Sequence, residues 1–211
     1  MGYYLGESLP KEIHFSRREI RDLLIATLVV SVAFAIALSG GGIGDTDWTI
    51  FPLAFLISLL AIGSGFILHE LGHKFLAIHY GGFAEFRAWM WGLIMALMFA
   101  LLAGFVFAAP GAVYIAGNIT EEQNGKISAM GPLVNIIFAA IFFPLVFIAT
   151  GIFYSICFYI YYINAFLGVF NLLPLGPLDG AKIFRWSVPA FIGLFVAAVA
   201  LLVPAFIPGI L

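Results

Sequence analysis

The sequence predicts an all-α fold: a polytopic bundle of about five or six transmembrane helices. A re-entrant apolar segment, with room for a short β element, is expected between the second and third spans. Three observations predict this. Of 211 residues, 64% are hydrophobic and only 9% charged, against roughly 45–50% and 25% in soluble domains. A chain of this length cannot hide so much apolar surface in one water-soluble core. The charges also cluster, leaving uncharged runs at 23–44, 48–68, 88–120 and 127–178, each at or above the ~20 residues that cross a bilayer.

The elements follow in order, and the whole chain reads as a single membrane domain. Residues 1–22 form a charged N-terminal segment with Lys11, Arg17, Arg18 and Arg21. The first apolar run opens only near Leu23, so no cleavable signal peptide is expected. The first span, 23–44, closes at Ser39-Gly40-Gly41-Gly42, and the second, 48–68, runs straight into His69, so 23–80 hold both. Within 88–120, Ala109-Pro110-Gly111 is a break and 112–115 could be an extended strand. Residues 127–186 carry two spans, split at Thr150-Gly151. Pro174, Gly176 and Pro177 end the second of them, because none suits a continuous helix. Residues 187–211 form a last span containing Pro189, Pro204 and Pro208.

Orientation follows from Lys and Arg, which favour the cytosolic side. The four cations before span one put the N-terminus inside, and the Asp45–Asp47 loop, which lacks Lys and Arg, outside. If 88–120 crossed once, Lys126, Lys182 and Arg185 would lie outside. If it dips in and returns, every Lys and Arg lies inside. The second topology is expected, with its backbone buried in protein or facing a wet cavity.

Near-neutral net charge leaves no nucleic-acid footprint. Cys157, the single cysteine, excludes an internal disulfide and a cysteine metal cage and reads as a small packing residue.

The chemistry concentrates in His69-Glu70-Leu71-Gly72-His73. Two histidines four apart share one helical face and can bind one Zn²⁺. Glu70 stands beside them to take a proton from water, so the pattern reads as a hydrolase centre. A bland alternative would bury two His and a Glu in a membrane helix for no purpose, and such groups are expensive there. Catalytic zinc usually takes a third protein ligand. The candidate is Asp179, the first ionisable group after the 52 uncharged residues 127–178; its alternative is a helix-capping or interfacial Asp. With 88–120 re-entrant, the spans leading to His73 and to Asp179 both end inside, as shared ligands require.

These residues resemble the site-2 protease family of intramembrane metalloproteases. The likeness rests on His69-Glu70-Leu71-Gly72-His73, on Gly131-Pro132-Leu133-Val134-Asn135, and on Asn171 with Pro177-Leu178-Asp179-Gly180, in the family's order. It implies a zinc metalloendopeptidase cutting peptide bonds in or near a substrate's transmembrane helix, with the site opening to the cytosol. It implies His69, His73 and Asp179 as ligands of one Zn²⁺ and Glu70 as the catalytic glutamate. Asn171 matches a residue that contacts the substrate or its developing oxyanion. Asn135 matches a further polar residue, expected to bind substrate. The implied partners are a transmembrane protein or peptide and the lipid bilayer, and the implied location is the cell membrane. The apolar stretch 88–108 is longer than the short hairpin the resemblance leads one to expect.

Two rival readings are a zinc-binding membrane protein without proteolysis and a metal transporter. The intact Glu70 argues against the first. The lack of repeats and of an ionisable path argues against the second. Other residues read as structural: His79 as interfacial, His14 as solvated, Gly63-Ser64-Gly65 as helix packing. The Asn118-Ile119-Thr120 sequon is expected inside and unused. Trp48, Trp89, Trp91 and Trp186 fall near span ends.

Overall fold

A computed structural model describes residues 13–42, 44–106, 110–208 and 210; Lys11 and Ala109 lie outside the described residues. Ser16 opens helix α1 (Arg17–Leu38) by accepting a hydrogen bond from the Glu19 N–H at 3.0 Å, the usual way to satisfy a first-turn donor. The helix thus begins before the apolar run that opens near Leu23, and it ends at the expected stretch 39–42, where Gly40, Gly41 and Gly42 all take a positive φ.

Helix α2 (Phe51–Ile62) runs through a π-helical turn (Gly63–Ile67) into α3 (Leu68–His79). Together they form one 29-residue helical run. Strand β1 (Phe83–Ala88) follows, then helix α4 (Met90–Ala103) and strand β2 (Gly111–Ala116). The strands pair antiparallel, Phe83 opposite Ala116 and Ala88 opposite Gly111. The 112–115 strand is therefore present, while β1 is an addition. Its alternation was readable, with Ala84 and Phe86 buried and Glu85 and Arg87 pointing the other way, but it is short.

Helix α4 has 14 residues, about 21 Å at 1.5 Å per residue. Its end at Gly104 lies against Gly41, where the two backbones meet too closely for a side chain. By Gly111 the chain is paired with Ala88 again. The stretch beginning at residue 88 is thus a helix that leaves the sheet and a chain that returns to it.

Helix α5 (Glu121–Val146) starts with a capping box between Thr120 and Gln123. Gly151 (φ +58°) turns the chain into α6 (Ile152–Asn171). A break over 172–178 precedes α7 (Asp179–Trp186), then α8 (Val188–Leu202) with a 3-10 turn (Val203–Phe206). Five of the described helical runs are long and apolar enough to cross a membrane: Arg17–Leu38, Phe51–His79, Glu121–Val146, Ile152–Asn171 and Val188–Phe206. The all-α bundle and its small β element are as expected.

The main core joins α1, the α2–α3 run, α4 and α6. Ala26, Ala33, Ala61, Ala96 and Ala100 are completely buried in it; small side chains let helix backbones approach where lipid offers no hydrophobic drive. Trp48, Trp89 and Trp91 are exposed, as belt residues would be, whereas Trp186 packs on Gly125 of α5.

Lys74 follows His73 on α3. It is 2% exposed, and its Nζ donates to both Glu19 oxygens at 2.7 and 2.8 Å. The His14 and Ala84 carbonyls accept from it at 2.8 and 3.0 Å, so both buried charges are fully engaged, as buried charges must be. Glu19 also accepts from the Phe86 N–H at 3.1 Å, and Asp22 from the Ala88 N–H at 3.4 Å. Two carboxylates of α1 thereby cover the outer edge of β1. Arg87 and Ser16 both hydrogen-bond Glu85 and hold its carboxyl below the usual carboxylate range.

Candidate metal centre

The candidate centre begins with one face of α3 meeting one face of α5. Gly72 lies in this contact: a Cβ there would stand 3.4 Å from the Met130 carbonyl and the Val134 side chain, an ordinary packing distance. Ile127, Gly131 and Asn135 lie four apart along α5, so they share a face. The Ile127 carbonyl accepts from His73 Nδ1 at 2.7 Å. Asn135 Oδ1 lies 2.6 Å from His69 Nδ1. Gly131 sits between them, and a Cβ there would run into both Nε2 atoms.

Asp179 arrives from the other side. Pro174 and Pro177 lack N–H groups and Gly176 takes a positive φ of 49°, so α6 cannot continue. Gly180 lies so close under the Leu172 carbonyl that no side chain would fit, and Trp186 covers Gly125. These contacts hold α7 against α5 and α6. Asp179 Oδ2 stands 3.2 Å from His69 Nε2 and 3.0 Å from His73 Nε2, and the two Nε2 atoms are 3.0 Å apart. All three residues are buried.

The donor chemistry of this triangle fits a zinc ion. Each histidine gives its Nδ1 hydrogen to an oxygen elsewhere, so both Nε2 lone pairs face a carboxylate oxygen. Three lone-pair donors turned toward one point repel unless a cation or proton lies between them. Tetrahedral zinc with bonds of about 2.0–2.1 Å spaces its ligands by roughly 3.3 Å, close to the separations found.

Glu70 lies beside this triangle in a cleft of about 380 Å³. It is buried, and its Oε2 has no hydrogen-bond partner among the described residues. A buried carboxylate oxygen without a partner is costly, so the position suits a group with work to do. Asn171 and residues 111–115 of β2 line the same cleft. The Asn171 amide donates to the Leu167 carbonyl at 3.0 Å. Lys182 also borders the cleft, its Nζ 3.5 Å from Asp179 Oδ1.

The structure therefore brings together His69, Glu70, His73, Asn171 and Asp179. Asn135, expected to bind substrate, is not among the residues lining this cleft; it is 0% exposed and its amide faces His69. Sequence reasoning also missed Asn164, which touches Asn135 at 3.1 Å. A polar residue inside an otherwise apolar span was the available signal.

A helical membrane bundle carrying a His-Glu-x-x-His helix and a convergent aspartate defines a class, the membrane-embedded metallopeptidases. The model of peptidase family M50 matches residues 147–204, which include Asn171 and Asp179. MJ0611 of Methanocaldococcus jannaschii, named by inference as a zinc metalloprotease, is 43% identical over 185 residues, covering 85% of this chain and 91% of that protein. Rip2 of Mycolicibacterium smegmatis, also named by inference as a zinc metalloprotease, is 28% identical over 189 residues, covering 78% of this chain and 70% of Rip2. MJ0392 of Methanocaldococcus jannaschii, named as a zinc metalloprotease, is 23% identical over 175 residues, which are 79% of this chain and 43% of MJ0392. No solved structure matches the chain. The chain belongs to peptidase family M50.

Proposed function

We propose that this multi-pass membrane protein is a zinc metalloprotease that hydrolyses peptide bonds in or near the transmembrane helices of membrane-protein substrates. The observation that carries the reading is the meeting of His69 Nε2, His73 Nε2 and Asp179 Oδ2 beside the buried Glu70, inside a helical bundle. His69, His73 and Asp179 hold the ion. Zinc bound there supplies Lewis acidity, polarising the scissile carbonyl and making water a stronger acid. Glu70 accepts the attacking water's proton and delivers it to the leaving amine. Asn171, on the cleft wall, binds the substrate or its developing oxyanion.

A helical peptide bond is hydrogen-bonded and sterically covered, so the substrate must be extended before attack. The sheet supports a way to hold it extended. One edge of β1 is covered by Glu19 and Asp22, while the outer edge of β2 borders the cleft. An unwound substrate segment adds to β2 as a further strand.

The site opens to the cytosol and the N-terminus lies on the same side. Three helices, α4, α5 and α6, lie between α3 and Asp179. The ligands meet at one depth, so an even number of the three cross; α5 and α6 are long enough and α4 is the short one, which supports a re-entrant α4. Arg17, Arg18 and Arg21 start α1, Lys74 is tied to Glu19, and Lys182 and Arg185 sit on α7 beside the site. This common end supports the cytosolic side by the distribution of Lys and Arg. A cysteine placed at Asn118 is expected to react with a membrane-impermeant thiol reagent only from the cytosolic side. Labelling only from outside would overturn this topology.

The ligand assignment is tested by the metal content of purified protein. Wild type is expected to hold one zinc per chain, to cleave a transmembrane model peptide, and to lose cleavage on chelation. Asp179→Ala is expected to lose stoichiometric zinc and cleavage together. One equivalent of zinc retained in Asp179→Ala removes Asp179 from the ligand set.

A further inference from the structure

We infer that Asn135 is a positioning residue for His69 and that Asn164 is its anchor. The two form a buried amide relay that turns the His69 Nε2 lone pair toward Asp179. The inference rests on the reading of His69 as a metal ligand and goes beyond it.

The direction of every hydrogen bond in the relay follows from three backbone carbonyls, which can only accept. The Ile160 carbonyl lies 2.8 Å from the Asn164 amide nitrogen, which must donate to it. The same nitrogen lies 3.2 Å from Ser64 Oγ, and Ser64 in turn donates to the Ala61 carbonyl at 2.9 Å. Asn164 Oδ1 therefore faces Asn135 and needs a donor, supplied by Asn135 Nδ2 at 3.1 Å. That nitrogen also donates to the Gly65 carbonyl at 2.7 Å. With both amide hydrogens of Asn135 committed, only its oxygen is left for His69 Nδ1, 2.6 Å away. His69 must then carry its hydrogen on Nδ1, which leaves the lone pair on Nε2. Amide orientation and histidine tautomer are properties of the network as a whole.

The relay spans three elements. Gly65 and Ser64 belong to the π-helical turn just before His69, Asn135 to α5 and Asn164 to α6. Asn135 and Asn164 are both 0% exposed, so water cannot substitute for either partner. Close packing leaves little slack: a Cβ on Gly65 would stand 3.0 Å from Leu167 Cδ1 and 3.4 Å from Asn164 Oδ1. A partner holding the far nitrogen of a ligating histidine sets ring orientation and ligand basicity. Asn135 does this for His69 as the Ile127 carbonyl does for His73. A backbone carbonyl is fixed by its helix, but an amide can rotate. The second bond to Asn164 and the third to Gly65 remove that freedom.

The test uses full-length protein in lipid and two readouts. Zinc affinity is measured by chelator competition for wild type, Asn135→Leu and Asn164→Leu, each also in a His69→Ala background. Asn135→Leu is expected to weaken zinc binding about 10–100-fold, Asn164→Leu by a smaller factor, and neither to add to the loss in His69→Ala. Separately, ¹⁵N-histidine spectra of the metal-free wild type, assigned by difference with His69→Ala, are expected to show a hydrogen on His69 Nδ1. Zinc affinity within twofold of wild type in Asn135→Leu, or an equal further loss in the His69→Ala background, overturns the inference. A His69 ring without hydrogen on Nδ1 in the metal-free wild type overturns it even if a leucine variant fails to fold. Zinc affinity untouched in His69→Ala alone would instead refute His69 as a ligand, a distinct outcome.

Discussion

Glu70→Gln is expected to lower cleavage of a transmembrane model peptide by about 10²–10⁴-fold, the range supplied by a positioned general base, while zinc stays at one equivalent. Glutamine keeps the shape of the side chain and removes only its capacity to take a proton. Among the described residues, Glu70 is the one carboxylate in the cleft outside the metal triangle, and its Oε2 has no hydrogen-bond partner. The ion is held by other side chains, so its affinity should hardly move. Metal content by mass spectrometry and cleavage in proteoliposomes, measured on one preparation, separate the two effects. Cleavage within tenfold of wild type would assign proton transfer to another group.

Gly131→Ala is expected to abolish stoichiometric zinc, with an affinity loss of more than about 100-fold, and cleavage with it. Intrinsic helix propensity favours the variant by about 1 kcal/mol. The local geometry opposes it, because the methyl would fall on the Nε2 atoms of His69 and His73 together. Overpacking costs roughly 1–3 kcal/mol even where neighbours can shift, and here the neighbours are the ligating atoms themselves. Relief requires α5 to retreat from α3, which parts Asn135 from His69 and the Ile127 carbonyl from His73. Gly193→Ala is the control: a methyl there meets nothing within 4 Å, so zinc and cleavage should be unchanged. Full zinc binding in Gly131→Ala would show that the α3–α5 contact is looser than the structure requires.

The two experiments bear on different levels of the same site. Glu70 stands in a five-residue pattern whose spacing is meaningful on a helix by itself. Gly131 stands in a segment that also entered the sequence reading, but its sequence does not say what a missing side chain makes room for. That becomes visible only when α5 lies against α3.

The same division runs through the fold. The apolar runs located the membrane helices because a bilayer demands about 20 apolar residues per crossing, a local requirement. The breaks at Thr150-Gly151 and over 172–178 were legible for the same reason, since Gly and Pro act on their own backbone. The start of α1 was not, because Glu19 and Asp22 enter the helix to meet partners on β1 and α3. Nor does the sequence show that Lys74 is a buried ion-pair partner of Glu19, 55 residues away.

The sequence alone determined that the protein is a helical membrane bundle and that His69 and His73 share one face with Glu70 next to them, and it offered Asp179 as the candidate carboxylate to join them. Each of these depends on hydropathy, helical period or the scarcity of charge, and all are readable without knowing what touches what. Only the tertiary structure decided that Asp179 reaches both imidazoles, that Gly131 leaves their nitrogens free, and that Asn135 turns inward to His69 with Asn164 behind it. Those are relations between helices distant in the chain. They are set by packing and by hydrogen bonds that must be satisfied where no water reaches, and no local pattern encodes them.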